Sequence, residues 1–357
     1  MTYNIAIAGI GAVAELHALS IEEIDGAELV AGSCRTESRG LEFAEEFDCE
    51  WYDDTEAMLD GEDIDVLSVC TPSGAHLEPT LAAAERGIHV LCEKPLEITT
   101  ARIDRMIDAC ESAGVRLGGI FPQRYNPVVE TLHEAATAGR FDGLSVANAY
   151  VPWWRADEYY EGAWQGTKEL DGGGALMNQS IHGIDAVQWL AGAANDVEDG
   201  VNPVEEVFAY TSTSAHEGDI IEVEDTAVAV LKYRDGTLGQ LLGATSMYPG
   251  SLKRIQLAGR GGTAEILEDE LVTWQFREER DDDPSIRERF GETDSGGGAA
   301  DPMSIDYANH RRNIADYLDA LEQDEPYMLD GAHARQAVET ITAIYESAAR
   351  GEPVRIE

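Results

Sequence analysis

The chain has 357 residues, 43% of them apolar, which is enough for two packed domains of ordinary size. Acidic residues number 69 against 25 lysines and arginines, a formal charge of −44. That balance disfavours nucleic acid and anionic membrane surfaces as partners. The acids are dispersed among periodic apolar segments, so the composition reads as a folded protein with an acidic surface rather than a disordered chain. Such a surface suits a cytoplasm of high salt, where self-repulsion is screened. No apolar run approaches the ~18–20 residues of a membrane-spanning helix, and the first residues, MTYNIAIAGIG, have neither a basic stretch nor a cleavage site. A cytoplasmic location is therefore expected. The five cysteines (Cys34, Cys49, Cys70, Cys92 and Cys110) are widely spaced, with no Cys-x-x-Cys pair. They read as reduced, mostly buried residues, and no ligand cluster calls for a metal.

Strands are expected at Tyr3–Ala8, Glu28–Ser33, Cys49–Tyr52, Val66–Cys70, His89–Cys92 and Val115–Gly118. Helices are expected between them, from the glycine turn to about Ile24 and at Ser38–Phe47, Thr55–Leu59, Leu77–Arg86 and Thr100–Ser112. This alternation predicts a doubly wound parallel sheet. After Phe121 the pattern changes. Helices are expected at Pro127–Ala138 and Gly174–Leu190, and alternating strands at Leu144–Val151, Val204–Ser212, Val223–Tyr233, Thr237–Thr245, Lys253–Ala258 and Leu271–Phe276. Asp235-Gly236 signals a tight hairpin. The acidic, glycine-rich stretch Glu278–Ala300 reads as a mobile loop, and helices near Ser304–Gln323 and Gly331–Arg350 close the chain. The fold class is thus α/β. A Rossmann domain over residues 1–121 precedes an α+β domain over residues 122–357 with an open, mostly antiparallel sheet.

Gly9-Ile10-Gly11-Ala12-Val13-Ala14 stands between the first strand and the first helix, the context in which Gly-x-Gly-x-x-Ala marks a dinucleotide site. Gly9 permits the turn, Gly11 lets the backbone approach the pyrophosphate, and Ala12 and Val13 open the helix whose N-terminus meets the phosphate charge. The second strand ends Ser33-Cys34-Arg35-Thr36, with no acid to accept from a ribose 2′-hydroxyl. Ser33, Arg35 and Thr36, with Arg39 nearby, suit a 2′-phosphate, so NADP is the expected cofactor, with NAD as the alternative. Thr71-Pro72 with His76, and Glu93-Lys94-Pro95, stand at the carboxyl ends of buried strands, where open α/β sheets place ligands. If Gly174–Leu190 is helical, Asn178 and His182 lie one turn apart on one face.

The Glu-Lys-Pro tripeptide, combined with the glycine-led Asn-x-x-x-His segment, resembles the Gfo/Idh/MocA oxidoreductase family. The resemblance runs along essentially the whole chain, to Asp330-Gly331-Ala332-His333-Ala334-Arg335. It implies hydride transfer between NAD(P) and a sugar or polyol, and association through the open sheet into homodimers or homotetramers. It implies that Lys94 stabilises a developing alkoxide, that His182 takes the hydroxyl proton, and that Glu93 lies by the nicotinamide ribose. Many members carry Asp where this chain has Asn178. Asn cannot raise the basicity of His182 by charge, though it can orient that ring or hold the substrate, and the resemblance includes members acting on nucleotide-linked amino sugars that carry Asn there, which makes such substrates worth testing.

The aromatic stretch around Trp153 and Trp154, with Arg155, Tyr159 and Trp164, suits stacking on a sugar ring with one polar clamp. Arg124 and Asp185 are further candidate substrate contacts. His17, His89, His133, His216 and His333 read as structural, and His310 as a weaker candidate. A redox-neutral glycosidase that recycles its cofactor and a non-catalytic NAD(P) sensor are the rival readings.

Overall fold

The computed structural model describes residues 2–195, 197–216, 220–291 and 307–357. The first element, β1 (Tyr3–Ala8), is buried throughout its second half and lies in mid-sheet. It is followed by α1 (Ala12–Glu22), β2 (Ala27–Ser33), α2 (Glu37–Phe47), β3 (Glu50–Tyr52), α3 (Thr55–Gly61) and β4 (Val66–Val69). Then come α4 (Leu77–Glu85), β5 (His89–Cys92), α5 (Thr100–Ala113) and β6 (Leu117–Gly119). The six strands are all parallel in the order β3-β2-β1-β4-β5-β6. Every residue of β4 is buried, as expected of a strand with both faces covered. Local chemistry sets the helix ends: Asp54 accepts from the Ala57 amide to start α3, and Thr99 accepts from Arg102 to start α5. Gly114, left-handed at φ +70°, ends α5.

The second half runs α6 (Pro127–Thr137), β7 (Leu144–Pro152), a π-helical segment (Ala175–Ser180) leading into α7 (Ile181–Ala194), then β8 (Val204–Ser212), β9 (Thr226–Tyr233) and β10 (Leu238–Ala244). It continues with β11 (Arg254–Gly259), β12 (Gly262–Leu267), β13 (Glu270–Phe276) and α8 (Asp283–Phe290). The last elements are α9 (Ala308–Gln323), α10 (Gly331–Arg350) and β14 (Val354–Arg355). An eight-stranded sheet forms in the order β13-β12-β11-β7-β10-β9-β8-β14, antiparallel except for the β7–β10 pair. Burial alternates along β9: Ala227, Ala229, Leu231 and Tyr233 are buried, while Val228 and Val230 are about half exposed. One face of this sheet is therefore covered and the other open.

The chain divides into two compact units, Met1–Pro122 with Asp306–Arg335, and Gln123–Ile305 with Gln336–Glu357. Helix α9 thus returns to the parallel sheet: Asn313 accepts from the Phe121 amide at 2.9 Å, and the Tyr317 hydroxyl donates to the Val90 carbonyl at 3.0 Å.

Four expectations are corrected. The segment expected as one helix from Gly174 begins as a π-helix. Strands β12 and β14 are additional. Part of the stretch expected to be a mobile loop is helix α8, because Asp283 pairs with Arg140 and accepts from the Trp274 indole, all within 2.7 Å. Residues 292–300 of that stretch, and 304–306 of the next expected helix, lie outside the described residues. Of the cysteines, Cys92 and Cys110 are buried while Cys34, Cys49 and Cys70 are half-buried.

Candidate functional site

The glycine turn sits where the strand order reverses, between β1 and β4, the crevice in which doubly wound sheets bind ligands. Gly9 has φ +95°, and a Cβ there would lie 2.6 Å from the Thr71 amide nitrogen. No side chain fits, and the close approach ties the turn to the Thr71-Pro72 segment after β4. Gly11 precedes α1, and a Cβ on it would meet no heavy atom within 4 Å. Open space above a helix N-terminus is what a pyrophosphate needs, so these residues fit a dinucleotide. Ala12 and Val13 are exposed on the first turn, and Ala14 is buried. At the end of β2, Ser33 is buried with its hydroxyl 2.9 Å from that of Thr55. Arg35 and Arg39 are exposed, and Arg39 donates to the Ile10 carbonyl in the glycine turn.

The Glu-Lys-Pro segment follows β5. Glu93 is only 6% exposed. One carboxylate oxygen lies 3.0 Å from His17 Nε2, and the other accepts the Lys94 backbone N–H at 3.0 Å. The opposite nitrogen of His17 meets the Ser68 hydroxyl at 2.7 Å, and His310 Nε2 stands 3.8 Å from Glu93. Burial disfavours charge throughout this cluster. For Glu93, contacts with His17, His310 and Lys94 outweigh it and hold the carboxyl at about 2. For His17, the Cys70 sulfur and Glu93 outweigh it and lift the ring to about 10. For His310, burial prevails against Glu93 and lowers the ring to about 4. His76 is buried, and both ring nitrogens meet backbone carbonyls, Nδ1 with Pro95 at 2.9 Å and Nε2 with Thr71 at 2.8 Å. It braces the Thr71 and Pro95 segments against each other.

In the second unit, the glycine triplet packs where side chains are excluded. A Cβ on Gly174 would lie 1.9 Å from the Glu224 carbonyl oxygen, and one on Gly173 would lie 2.2 Å from the Tyr345 hydroxyl. The half-buried Glu224 carboxylate accepts from the Gly174 and Leu176 amides and from Tyr345, capping the π-segment. Burial raises its pKa, with those three hydrogen bonds opposing. Asn178 lies in the π-segment and His182 in the first turn of α7, both half-buried. The α-helical spacing that would set them one above the other does not apply. Asn178 donates to Asp171 at 2.7 Å and accepts from Gln179 at 3.2 Å. Gln179 in turn donates to the Tyr159 hydroxyl at 2.9 Å and accepts from Arg155 at 3.0 Å. The Arg155 guanidinium also lies over the Trp153 and Tyr159 rings.

Asp171, Gln179, Glu224 and Tyr345 escaped sequence reasoning. Asp171 and Gln179 flank candidates already singled out, whereas nothing local marks Glu224 or Tyr345. Arg124 and Asp185 form a buried bidentate pair at 2.7 and 2.9 Å, with Arg124 over the Trp189 ring. Each spends hydrogen bonds on the other. Trp164 is half-buried, and its carbonyl accepts from Thr167. Among the described residues no group of three or more His, Cys, Asp or Glu could hold a metal ion.

A parallel sheet ordered 3-2-1-4-5-6 with a glycine turn at its switch point is the architecture of a dinucleotide-binding domain. The chain belongs to the Gfo/Idh/MocA oxidoreductase family. Residues 3–121 match its NAD-binding Rossmann fold and residues 144–356 its C-terminal alpha/beta domain. It is 30% identical to the WlbA dehydrogenase from Bordetella pertussis, whose structure holds NADH and UDP-GlcNAcA; the alignment covers 100% of this chain and 99% of that one, with a TM-score of 0.86. It is 30% identical to myo-inositol 2-dehydrogenase of Thermotoga maritima over 72% of this chain and 73% of that protein. It is 26% identical to D-xylose 1-dehydrogenase (NADP(+)) 2 of Haloferax volcanii over 98% of both.

Proposed function

We propose that this chain is a dehydrogenase that oxidises a hydroxyl carbon of a sugar, a sugar acid or a nucleotide-linked sugar, or reduces the matching ketone. Residues 1–121 bind the dinucleotide, and residues 122–357 carry the substrate and the subunit contacts. Bound NAD(P) supplies the hydride acceptor or donor. The Lys94 ammonium stabilises negative charge developing on the substrate oxygen. His182 takes the hydroxyl proton during oxidation, which is typically worth about 100- to 10,000-fold in rate. Arg155, Tyr159, Trp164 and Asn178 hold the sugar, with Arg124 and Asp185 as further contacts. The observation that carries this reading is the switch-point glycine turn, with its open Gly11, in the same unit as the buried Glu93 that holds the Lys94 amide.

NADP is the preferred cofactor. No acid ends β2, and Arg35 and Arg39 are exposed beside it. The protein works in a cytoplasm of high salt, a reading supported by its charge of −44. It assembles as a homo-oligomer through the open sheet face. That face combines exposed Tyr210, Val228, Val230 and Leu238 with a polar ladder in which Tyr150 bonds Gln240, and Asn148 bonds Gln256.

The test is a panel in molar salt of D-xylose, myo-inositol, UDP-GlcNAcA and simple glycosides, each with NADP and with NAD, followed by absorbance of the reduced nicotinamide. Reduction of NADP with one of the sugars is expected. Cleavage of a glycoside without net cofactor reduction would reveal the redox-neutral glycosidase. Tight cofactor binding without turnover would reveal a sensor. NAD bound tenfold tighter than NADP would overturn the cofactor preference.

A further inference from the structure

The sequence reading leaves His17 among the structural histidines, yet it is fully buried against the residue that precedes Lys94. A carboxylate can only accept, so His17 Nε2–H donates to Glu93, and the Ser68 hydroxyl satisfies Nδ1 in either protonation state. The second oxygen of Glu93 is thereby aimed at the Lys94 backbone N–H. Helix α1, strand β4 and the segment after β5 are joined through one imidazole.

Stability alone does not explain this arrangement. Well-packed apolar residues in place of a buried ion pair are often neutral or stabilising. What a fully satisfied buried pair does supply is a single geometry. Here that geometry belongs to the backbone on which Lys94 stands, and its anchor lies on α1, the helix whose N-terminus forms the dinucleotide cradle. His17 is six residues beyond Gly11, about 9 Å along the helix at 1.5 Å per residue.

We infer that His17 is a positioning residue for Lys94: by holding the Glu93 carboxylate it locks the lysine backbone to the cofactor helix. The inference rests on the catalytic reading of Lys94. Misplacing a reacting group by about 1 Å can cost roughly 100-fold in rate, so His17 acts on turnover rather than on affinity.

The experiment compares His17→Leu, His17→Gln, His17→Asn, Lys94→Ala and the double variant His17→Leu/Lys94→Ala in molar salt. Turnover is measured with whichever panel sugar reacts, and NADPH binding by nucleotide fluorescence. His17→Leu is expected to lower kcat about 10- to 100-fold, with KM and the NADPH Kd within about twofold. His17→Gln, whose amide can donate from the Nε2 position, recovers most of the rate, whereas His17→Asn, which reaches only Ser68, does not. The double variant is no slower than Lys94→Ala alone, because residues that act as a unit are not additive. A normal kcat for His17→Leu, or a double variant slowed by the product of the single losses, overturns the inference. Should His17→Leu fail to fold, equal rates for His17→Gln and His17→Asn overturn it. Wild-type turnover in Lys94→Ala overturns the catalytic reading itself, whatever His17 does.

Discussion

Gly9 and Gly11 are both glycine for backbone reasons, but opposite ones. Gly9 is left-handed and pressed against Thr71, while Gly11 faces open space. Their order on the chain and the strand before them made the cradle legible without coordinates. Lys94 and His182 are proposed as catalytic from a motif, since neither residue type is diagnostic alone. Lys94→Ala and His182→Ala should each lower kcat, His182→Ala by about 100- to 10,000-fold, with cofactor affinity little changed, as steady-state kinetics and nucleotide titration will show. The cluster beside Lys94 adds a pH dependence to stability. His310 is buried with its pKa lowered to about 4, below the ordinary 6.5. The unfolded chain therefore takes up its proton first, so the contribution is present above the ordinary value and is lost as pH falls through about 4. Unfolding at pH 7 and pH 5 in fixed salt should show a loss on acidification, and His310→Leu should reduce that loss. The full contribution is on the order of 3 kcal/mol, at 1.36 kcal/mol per pKa unit, and only part of it falls between pH 7 and pH 5.

Among the elements, the segment from Gly174 shows how far periodicity carries. Its apolar content and glycine lead announce a helix, and α7 forms. The π-turn before it depends on Glu224 and Tyr345, 50 and 171 residues away from Gly174 in sequence, which cap it and crowd the glycines. Gly174→Ala should destabilise the fold by more than ~2 kcal/mol, because the clash is with backbone rather than a movable side chain. Tyr345→Phe, which leaves the half-buried Glu224 short of one donor, should cost about 1 kcal/mol. Denaturant unfolding measures both. Helix α8 makes the same point from a run so acidic that it reads as a loop: the Arg140–Asp283 pair and the Trp274 indole anchor its first turn.

For the molecule as a whole, charge and the open sheet lead to two further expectations. Salt at about 1 M shortens the screening length to about 3 Å, against about 10 Å at 0.1 M. Dialysis from molar to 0.1 M salt should therefore lower the Tm of a chain carrying −44, whereas an unchanged Tm would exclude the high-salt reading. Val230→Glu, placed on the half-exposed row of β9, should shift the protein towards monomer in light scattering without lowering its helix content. The fold class, the parallel pairing of the first sheet and the family were all legible in the sequence, as was a glycine turn between the first strand and the first helix. They rest on local signals: strand and helix periods, a glycine turn and short motifs. The return of α9 to the parallel sheet, the His17–Glu93–His310 cluster and the Glu224 cap were decided only in three dimensions. Each joins residues far apart in the chain through burial and hydrogen bonding, and no local pattern records which distant polar group will satisfy a buried one.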